Sequence, residues 1–331
     1  MKQRGKHIFT IIIFLLAFKA QAQNVFIKID SFFAPSSRFE PVRFYTGVAA
    51  GTVVYAGGTY ILYNYWYKDQ GLGKFHFFND CNEWCNMDKI GHVYSAYNQS
   101  SIFYEMARWT GLPESKSIWF GIFAGSLMQS TIEVLDGFSP KWGFSVCDIA
   151  ANTTGLGMFY IQQRYWKEQK ILLKVSSYPG AYSGEKIYDS THRYYTTLED
   201  RADALFGSSF LERYLKDYNA QSYWLSFNLR ALSHCEKFPS WLNLAIGYSG
   251  ENMFGGYANA WIDENGARYD ITGQKPRYFQ FFISPDIDFK RFKTGSHFLK
   301  ALLRSFNLVK VPAPALEINS RGEIIFHLFY M

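Results

Sequence analysis

Between Asp88 and Gly157 this chain sets carboxylates, a histidine and an asparagine at helical spacings inside otherwise apolar sequence. A carboxylate in such a helix is costly to bury unless it finds a partner, so any fold of this stretch must bring these groups together. Asp88 and His92 are four apart, Glu133 and Asp136 three apart, and Asp148 and Asn152 four apart, so each pair shares one helix face. A bundle joins the three faces in its interior. Two readings of the cluster stand. The preferred one is a satisfied structural network, the usual form of buried polar groups. Local roles support it: Ser145-x-x-Asp148 as a capping box, Asp136-Gly137 as a turn, Lys89 paired with one of the acids, and His92 as a core histidine. The other is a site. Its catalytic candidates are His92, Glu133, Asp136 and Asp148, suited to general acid–base chemistry or to a divalent metal. No cofactor is assigned, and the metal is left open.

The rest of the chain follows from this core. Lys2, Arg4 and Lys6, the apolar run Ile8 to Phe18 and the small residues Ala20-Gln21-Ala22 read as a signal peptide over 1–22, followed by an arm over 23–40. The apolar run is too short to span a bilayer. No Cys stands at the cleavage point, so a lipid anchor is not expected there. Asn24 to Phe33 reads as a short strand. Pro41 to Tyr67 carries Arg43 as its only charge, with Gly47, Gly51, Gly57 and Gly58 as a close-packing stripe. That stretch reads equally as a membrane span or as a buried bundle helix, with Tyr65, Trp66 and Tyr67 as an interface belt. Three more helices follow, from Asp88 to Trp109, Ser115 to Leu135 and Ser145 to Trp166, again with small residues such as Gly121, Gly125, Gly155 and Gly157. The region 41–167 is expected to be a four-helix module.

After Lys167 the period shifts towards two. Ile171–Tyr178, Tyr223–Ala231, Leu242–Tyr248, Arg277–Phe289 and Glu323–Met331 read as strands, and His297–Phe306 as an amphipathic helix. Tyr223, Leu225 and Phe227 alternate with Ser226 and Asn228, the pattern of a half-buried strand. The fold class is therefore α+β, a helical module followed by an antiparallel β-rich domain over 168–331. That domain is barrel-like, but with too few strands for the smallest closed outer-membrane barrels. The last strand resembles the closing strand of such barrels, except that Met331 ends it.

Aromatic residues make up 19% of the 331 residues, and that abundance suits a protein at a membrane–water boundary. A net charge of +6 without a basic tract excludes a nucleic-acid partner and leaves membrane lipid or other envelope proteins. Oligomeric state is open. Of the four cysteines, Cys81 and Cys85 are spaced for a disulfide in a turn, and Cys147–Cys235 would make a long-range one; export favours disulfides over metal. No phosphate-binding loop and no nucleophile elbow is present.

The ordered set Asp88-Lys89-x-x-His92, Glu133 with Asp136, Trp142-Gly143-Phe144-Ser145-x-x-Asp148, Asn152 and Gly155 resembles the YfiM-type family of predicted periplasmic lipoproteins, whose function is unknown. A looser likeness is to the VanZ-like membrane family. Both likenesses cover only about residues 88–157. They imply an envelope location and helical hairpins around polar residues, with Asp88, Lys89, Asn152 and Gly155 as motif positions, and they bring no activity. From the export signal, the apolar helices with small-residue faces and the aromatic strands, the chain is expected to be a membrane-associated structural or accessory component of the envelope. The alternative is a lipid- or glycan-directed hydrolase.

Overall fold

A computed structural model describes residues 25–68 and 71–331; the expected signal peptide lies outside them, as do the side chains of Tyr65 and Trp66. Residues 25–33 are helical rather than a strand. Phe26 and Phe33 are seven apart, on the face that meets Phe298, and Asp30 between them accepts hydrogen bonds from Ser296 Oγ at 2.5 Å and the Phe298 amide at 3.0 Å. A period near 3.6 makes all three contacts at once, which alternation cannot.

Four longer helices follow: α1 (Pro41–Leu62), α2 (Met87–Trp109), α3 (Glu114–Phe138) and α4 (Val146–Ile161). The last three form the packed core. α2 crosses α3 and α4 closely because glycines stand at the crossings. A Cβ on Gly121 would lie 2.5 Å from the Ser100 carbonyl oxygen, and one on Gly155 would collide with the Val93 carbonyl. α1 lies outside this core and buries no residue. It touches α3 through Phe44 against Phe120 and through a Tyr55–Thr131 hydrogen bond, and open space lies over Gly47, Gly51, Gly57 and Gly58. The expectation that these glycines pack a neighbouring helix is therefore not met. α3 is long and apolar enough to cross a membrane by length and composition. Its stripe Ser117, Gly121, Gly125, Gln129, Glu133 and Gly137 is nonetheless buried against its neighbours.

The C-terminal half is built on one antiparallel sheet. Its strands are β1 (Ile171–Ser177), β4 (Gln221–Asn228), β5 (Leu242–Glu251), β8 (Tyr278–Ile287), β9 (Ala313–Asn319) and β10 (Ile324–Tyr330), hydrogen-bonded in that order. Short hairpins pair β2 (Lys186–Tyr188) with β3 (Tyr195–Thr197), and β6 (Ala260–Ile262) with β7 (Arg268–Asp270). The sheet curls strongly. Tyr330 on β10 stacks on Phe282 of β8 at 4.2 Å and reaches β4, where its hydroxyl lies 3.1 Å from Ser222 Oγ. The free edge of β1 bonds the extended segment at Leu308 to Lys310 through the Val175 amide and carbonyl. The result is a barrel-like sheet that stays open.

Its inside mixes polar groups with the apolar cluster of Trp224, Ala245, Phe282, Ala315 and Tyr330. Lys174, Asp286, Asn243, Gln280, Glu317 and Ser226 are buried on the concave side, while Leu244, Ile246, Phe281, Ile283, Leu316 and Ile318 face outward and stay exposed. The expected Tyr223–Leu225–Phe227 face of β4 is covered, with Tyr223 buried and Leu225 and Phe227 half-buried, but the opposite face, Ser222, Trp224, Ser226 and Asn228, is buried as well, so the strand is covered on both sides. α2 covers the outer face over β1 and β4, with Met87 reaching the cluster that Tyr248 of β5 joins. Tyr97 Oη donates to the Ile171 carbonyl at 3.0 Å, Asn98 Nδ2 to that of Leu173 at 3.1 Å, and the Tyr94 and Tyr223 rings meet at 5.7 Å.

Candidate functional site

The first turns of α2, the last turns of α3 and the first turns of α4 converge at one end of the bundle. Ser145 caps α4 by accepting the Asp148 amide at 3.1 Å. Only half of the expected capping box forms, because the Asp148 carboxylate turns inward, with Oδ1 2.5 Å from Lys89 Nζ. Lys89 also lies 2.8 Å from Asp80 Oδ2 and 2.8 Å from Asp88 Oδ2, so one ammonium joins three carboxylates. The segment bearing Asp80 is held against the α3–α4 connection, where the Phe78 amide donates to the Phe144 carbonyl, the Phe144 amide donates to that of His76, and Gly143 leaves room for Phe78 and His76. Ser145 Oγ then donates to Asp80 Oδ1 at 2.5 Å.

His92 lies in the centre. Its Nδ1 is 3.1 Å from Asn152 Oδ1 and 3.4 Å from Glu133 Oε1, and Asn152 Nδ2 donates to Glu133 Oε1 at 3.2 Å. On its other side Nε2 is 3.6 Å from Asp148 Oδ1 and 3.8 Å from Asp88 Oδ1. Tyr218, from the C-terminal half, donates to Asp88 Oδ1 at 2.7 Å, and Tyr67 donates to Asp136 Oδ1 at 2.7 Å. Tyr67 is therefore buried in the cluster instead of marking an interface belt.

All the expected site residues except Gly155 lie in or beside this network; Gly155 serves helix packing. Asp80, Ser145, Tyr67 and Tyr218 complete it. Asp80 and Asp148 are the residues next to Cys81 and Cys147, and these two cysteines form the disulfide, with Cα atoms 5.4 Å apart. The expected Cys81–Cys85 and Cys147–Cys235 pairings are corrected: Cys85 and Cys235 are free thiols. A left-handed turn at Trp84, Cys85 and Asn86 directs Cys85 away, with Sγ near Arg277 at 3.4 Å. The disulfide instead ties the two segments that present Asp80 and Asp148 to Lys89.

Protonation is divided across the cluster. Burial pushes the Glu133 carboxyl up to about 8 and that of Asp136 up to about 6. Burial also raises Asp148, to about 7, against the opposing pull of His92 and Lys89. Burial would raise Asp88 too, but His92 and Lys89 facing it hold it below the usual carboxylate range. Burial disfavours the His92 imidazolium, yet Asp88, Asp148 and Glu133 around the ring hold its pKa above the ordinary value. Glu133 Oε2 is fully buried and has no hydrogen-bond partner. Access is narrow: the Asp88 side chain is 21% exposed, His92 14% and Asp148 7%.

Such an arrangement has the groups for proton transfer, or for holding a cation between Asp88, His92 and Asp148. No curated protein and no solved structure matches the chain. A family model does match one segment, and the matched residues carry every member of the cluster except Tyr67 and Tyr218. Over residues 76–164, well under half of its length, the chain matches the family described as predicted periplasmic lipoprotein (DUF2279), in agreement with an exported, envelope location.

Proposed function

We propose that this protein is a membrane-associated structural or accessory component of the cell envelope, with the outer face of its curled sheet resting in lipid. The observation that carries this reading is the inverted sheet. An antiparallel sheet of a soluble domain turns its apolar face to the core and its polar face to water. Here ion pairs and amides share the inside with the buried cluster of Trp224, Ala245, Phe282 and Ala315, and Lys174 Nζ lies 2.8 Å from Asp286 Oδ2 with both side chains fully buried. Phe281 is 49% exposed, Ile283 47% and Ile318 45% on the outside. Buried polar groups within and exposed apolar side chains without match the pattern of lipid-facing barrels. Leu244, Ile246, Phe279, Phe281, Ile283, Leu316, Ile318 and Phe326 form the contiguous face. At about 1 kcal/mol for completing the burial of each half-covered side chain, lipid contact over this face is worth on the order of 8 kcal/mol.

Flotation with phospholipid vesicles tests this reading. The purified chain is expected to float with the vesicles, and a Phe281→Lys/Ile283→Lys variant with an unchanged circular dichroism spectrum is expected to stay at the bottom. A wild-type chain that is monomeric without detergent and does not float would overturn it. Dimerisation without lipid affinity would make the face a protein interface instead.

The hydrolase alternative rests on a different observation, the fixed orientation of His92 between Asn152 and the Asp88–Asp148 pair. His92→Ala and Asp148→Asn, assayed on phospholipid and glycan substrates at unchanged melting temperature, distinguish a site from a network.

A further inference from the structure

Three atoms of the helical module face one another at distances that no hydrogen bond explains. His92 Nε2 lies 3.6 Å from Asp148 Oδ1 and 3.8 Å from Asp88 Oδ1, and all three atoms fall within 4.8 Å of one another. Hydrogen bonds to a ring nitrogen are shorter. Ligand atoms about 2.1 Å from a zinc-like ion stand roughly 3.0–3.5 Å from one another, so a small inward movement closes the set on an ion.

The far side of the ring is prepared for this. Asn152 Nδ2 donates to Glu133 Oε1, which fixes the amide so that its Oδ1 accepts from His92 Nδ1–H at 3.1 Å. That bond assigns the ring proton to Nδ1 and turns Nε2 toward the two carboxylates. A metal-bound histidine is anchored through its second nitrogen in the same way. One buried polar atom of the cluster is left without a partner: Glu133 Oε2 makes no hydrogen bond. Lys89 holds Asp88 and Asp80 through their Oδ2 atoms, and both carboxylate ligand atoms are already engaged, Asp148 Oδ1 by Lys89 Nζ at 2.5 Å and Asp88 Oδ1 by the Tyr218 hydroxyl at 2.7 Å, so an ion enters by displacing the ammonium from Asp148 and sharing Asp88 Oδ1 with Tyr218.

We propose that Asp88, His92 and Asp148 bind a divalent ion of the zinc class through Oδ1, Nε2 and Oδ1, with Asn152 and Glu133 as positioning residues. One nitrogen and two carboxylate oxygens suit a borderline ion better than calcium or magnesium, which favour oxygen ligands alone. The ion takes the place of a second ring proton on Nε2, which leaves to solvent. Remaining coordination positions open toward Asp88, the most exposed of the three ligands. This proposal is independent of the lipid-contact reading.

Zinc titration of the full, chelator-stripped chain by calorimetry tests it, with the cobalt(II) absorption spectrum as a second readout. One equivalent of zinc is expected to bind, with at least about tenfold weaker binding in His92→Ala and in Asp148→Asn, and about 10–100-fold weaker binding in Asn152→Ala. His297→Ala, remote from the cluster, should bind as wild type. Cobalt should give the visible bands of a low-symmetry nitrogen–oxygen site in the wild-type chain, a readout that needs no variant to fold. Absence of zinc binding and of those bands in the wild type would overturn the proposal, as would binding unchanged in the folded His92→Ala and Asp148→Asn variants.

Discussion

Replacing Lys89 by Met removes the ammonium that joins Asp80, Asp88 and Asp148 at 2.8, 2.8 and 2.5 Å. All four side chains are at most 21% exposed, so water replaces little of what is lost. Breaking one buried pair costs about 3–5 kcal/mol. Here three carboxylates lose a partner, but Asp88 keeps Tyr218 and His92, and Asp80 keeps Ser145. The expected cost is therefore about 4 kcal/mol and not three times that figure. At about 2 °C per kcal/mol for a large domain, the melting temperature should fall by roughly 8 °C. Thermal unfolding followed by circular dichroism, with the chelator-treated chain in one detergent, measures it. Adding Asp148→Asn should recover at least about 1 kcal/mol, because it removes one of the stranded charges. A fall below about 2 °C, or strict additivity of the two changes, would refute the reasoning that Lys89 is the electrostatic centre of the cluster.

Three other outcomes follow from the same geometry. Burial holds Glu133 at about 8 in the folded chain, well above an unfolded glutamate, so the folded state keeps a proton that the unfolded chain releases. Stability should thus decline as pH rises from about 4.5 toward 8, and Glu133→Gln, which has no such proton to lose, should gain on the wild type across that window; a difference that is flat or reversed in melts at several pH values would contradict this. Reducing the Cys81–Cys147 disulfide, which closes a separation of 66 residues, should cost about 4 kcal/mol and be visible as a lower melting temperature in dithiothreitol, with no effect of dithiothreitol on a Cys81→Ser variant. Inside the sheet, Lys174→Met should cost about 3–5 kcal/mol by leaving Asp286 uncompensated, while Lys174→Met/Asp286→Leu should cost clearly less in denaturant unfolding.

Much of the helical module was legible because helical spacing is a strong local signal. Asp88 and His92 do share a face, Ser145 does cap α4, and Gly121 and Gly155 do lie where helices cross closely. His297–Phe306 is helical over the range expected. Residues supplied from a distance were not legible. Tyr218 comes to Asp88 from 130 positions away, and nothing in its surroundings marks it. The disulfide partner of Cys81 is set by the return of the chain past Phe144, not by the nearness of Cys85. β9 was hidden behind Pro312 and Pro314, which argue against a strand; Pro314 is accommodated where the pairing with β10 shifts register, between Ala315 opposite His327 and Ala313 opposite Tyr330. Alternation in Leu242–Tyr248 correctly grouped Leu244 with Ile246 on one face. It carries no information on which face is buried, since that depends on whether water, protein or lipid lies outside.

The lipid contact of the outer sheet face is tested most directly by photo-crosslinking in vesicles that contain a phospholipid with a diazirine in its acyl chain, followed by mapping of labelled peptides. Labelling concentrated on Phe279, Phe281, Ile283, Leu316, Ile318 and Phe326, and absent from the intervening buried Gln280 and Glu317, is the predicted result. An unlabelled sheet in vesicles that label the protein elsewhere would contradict the account.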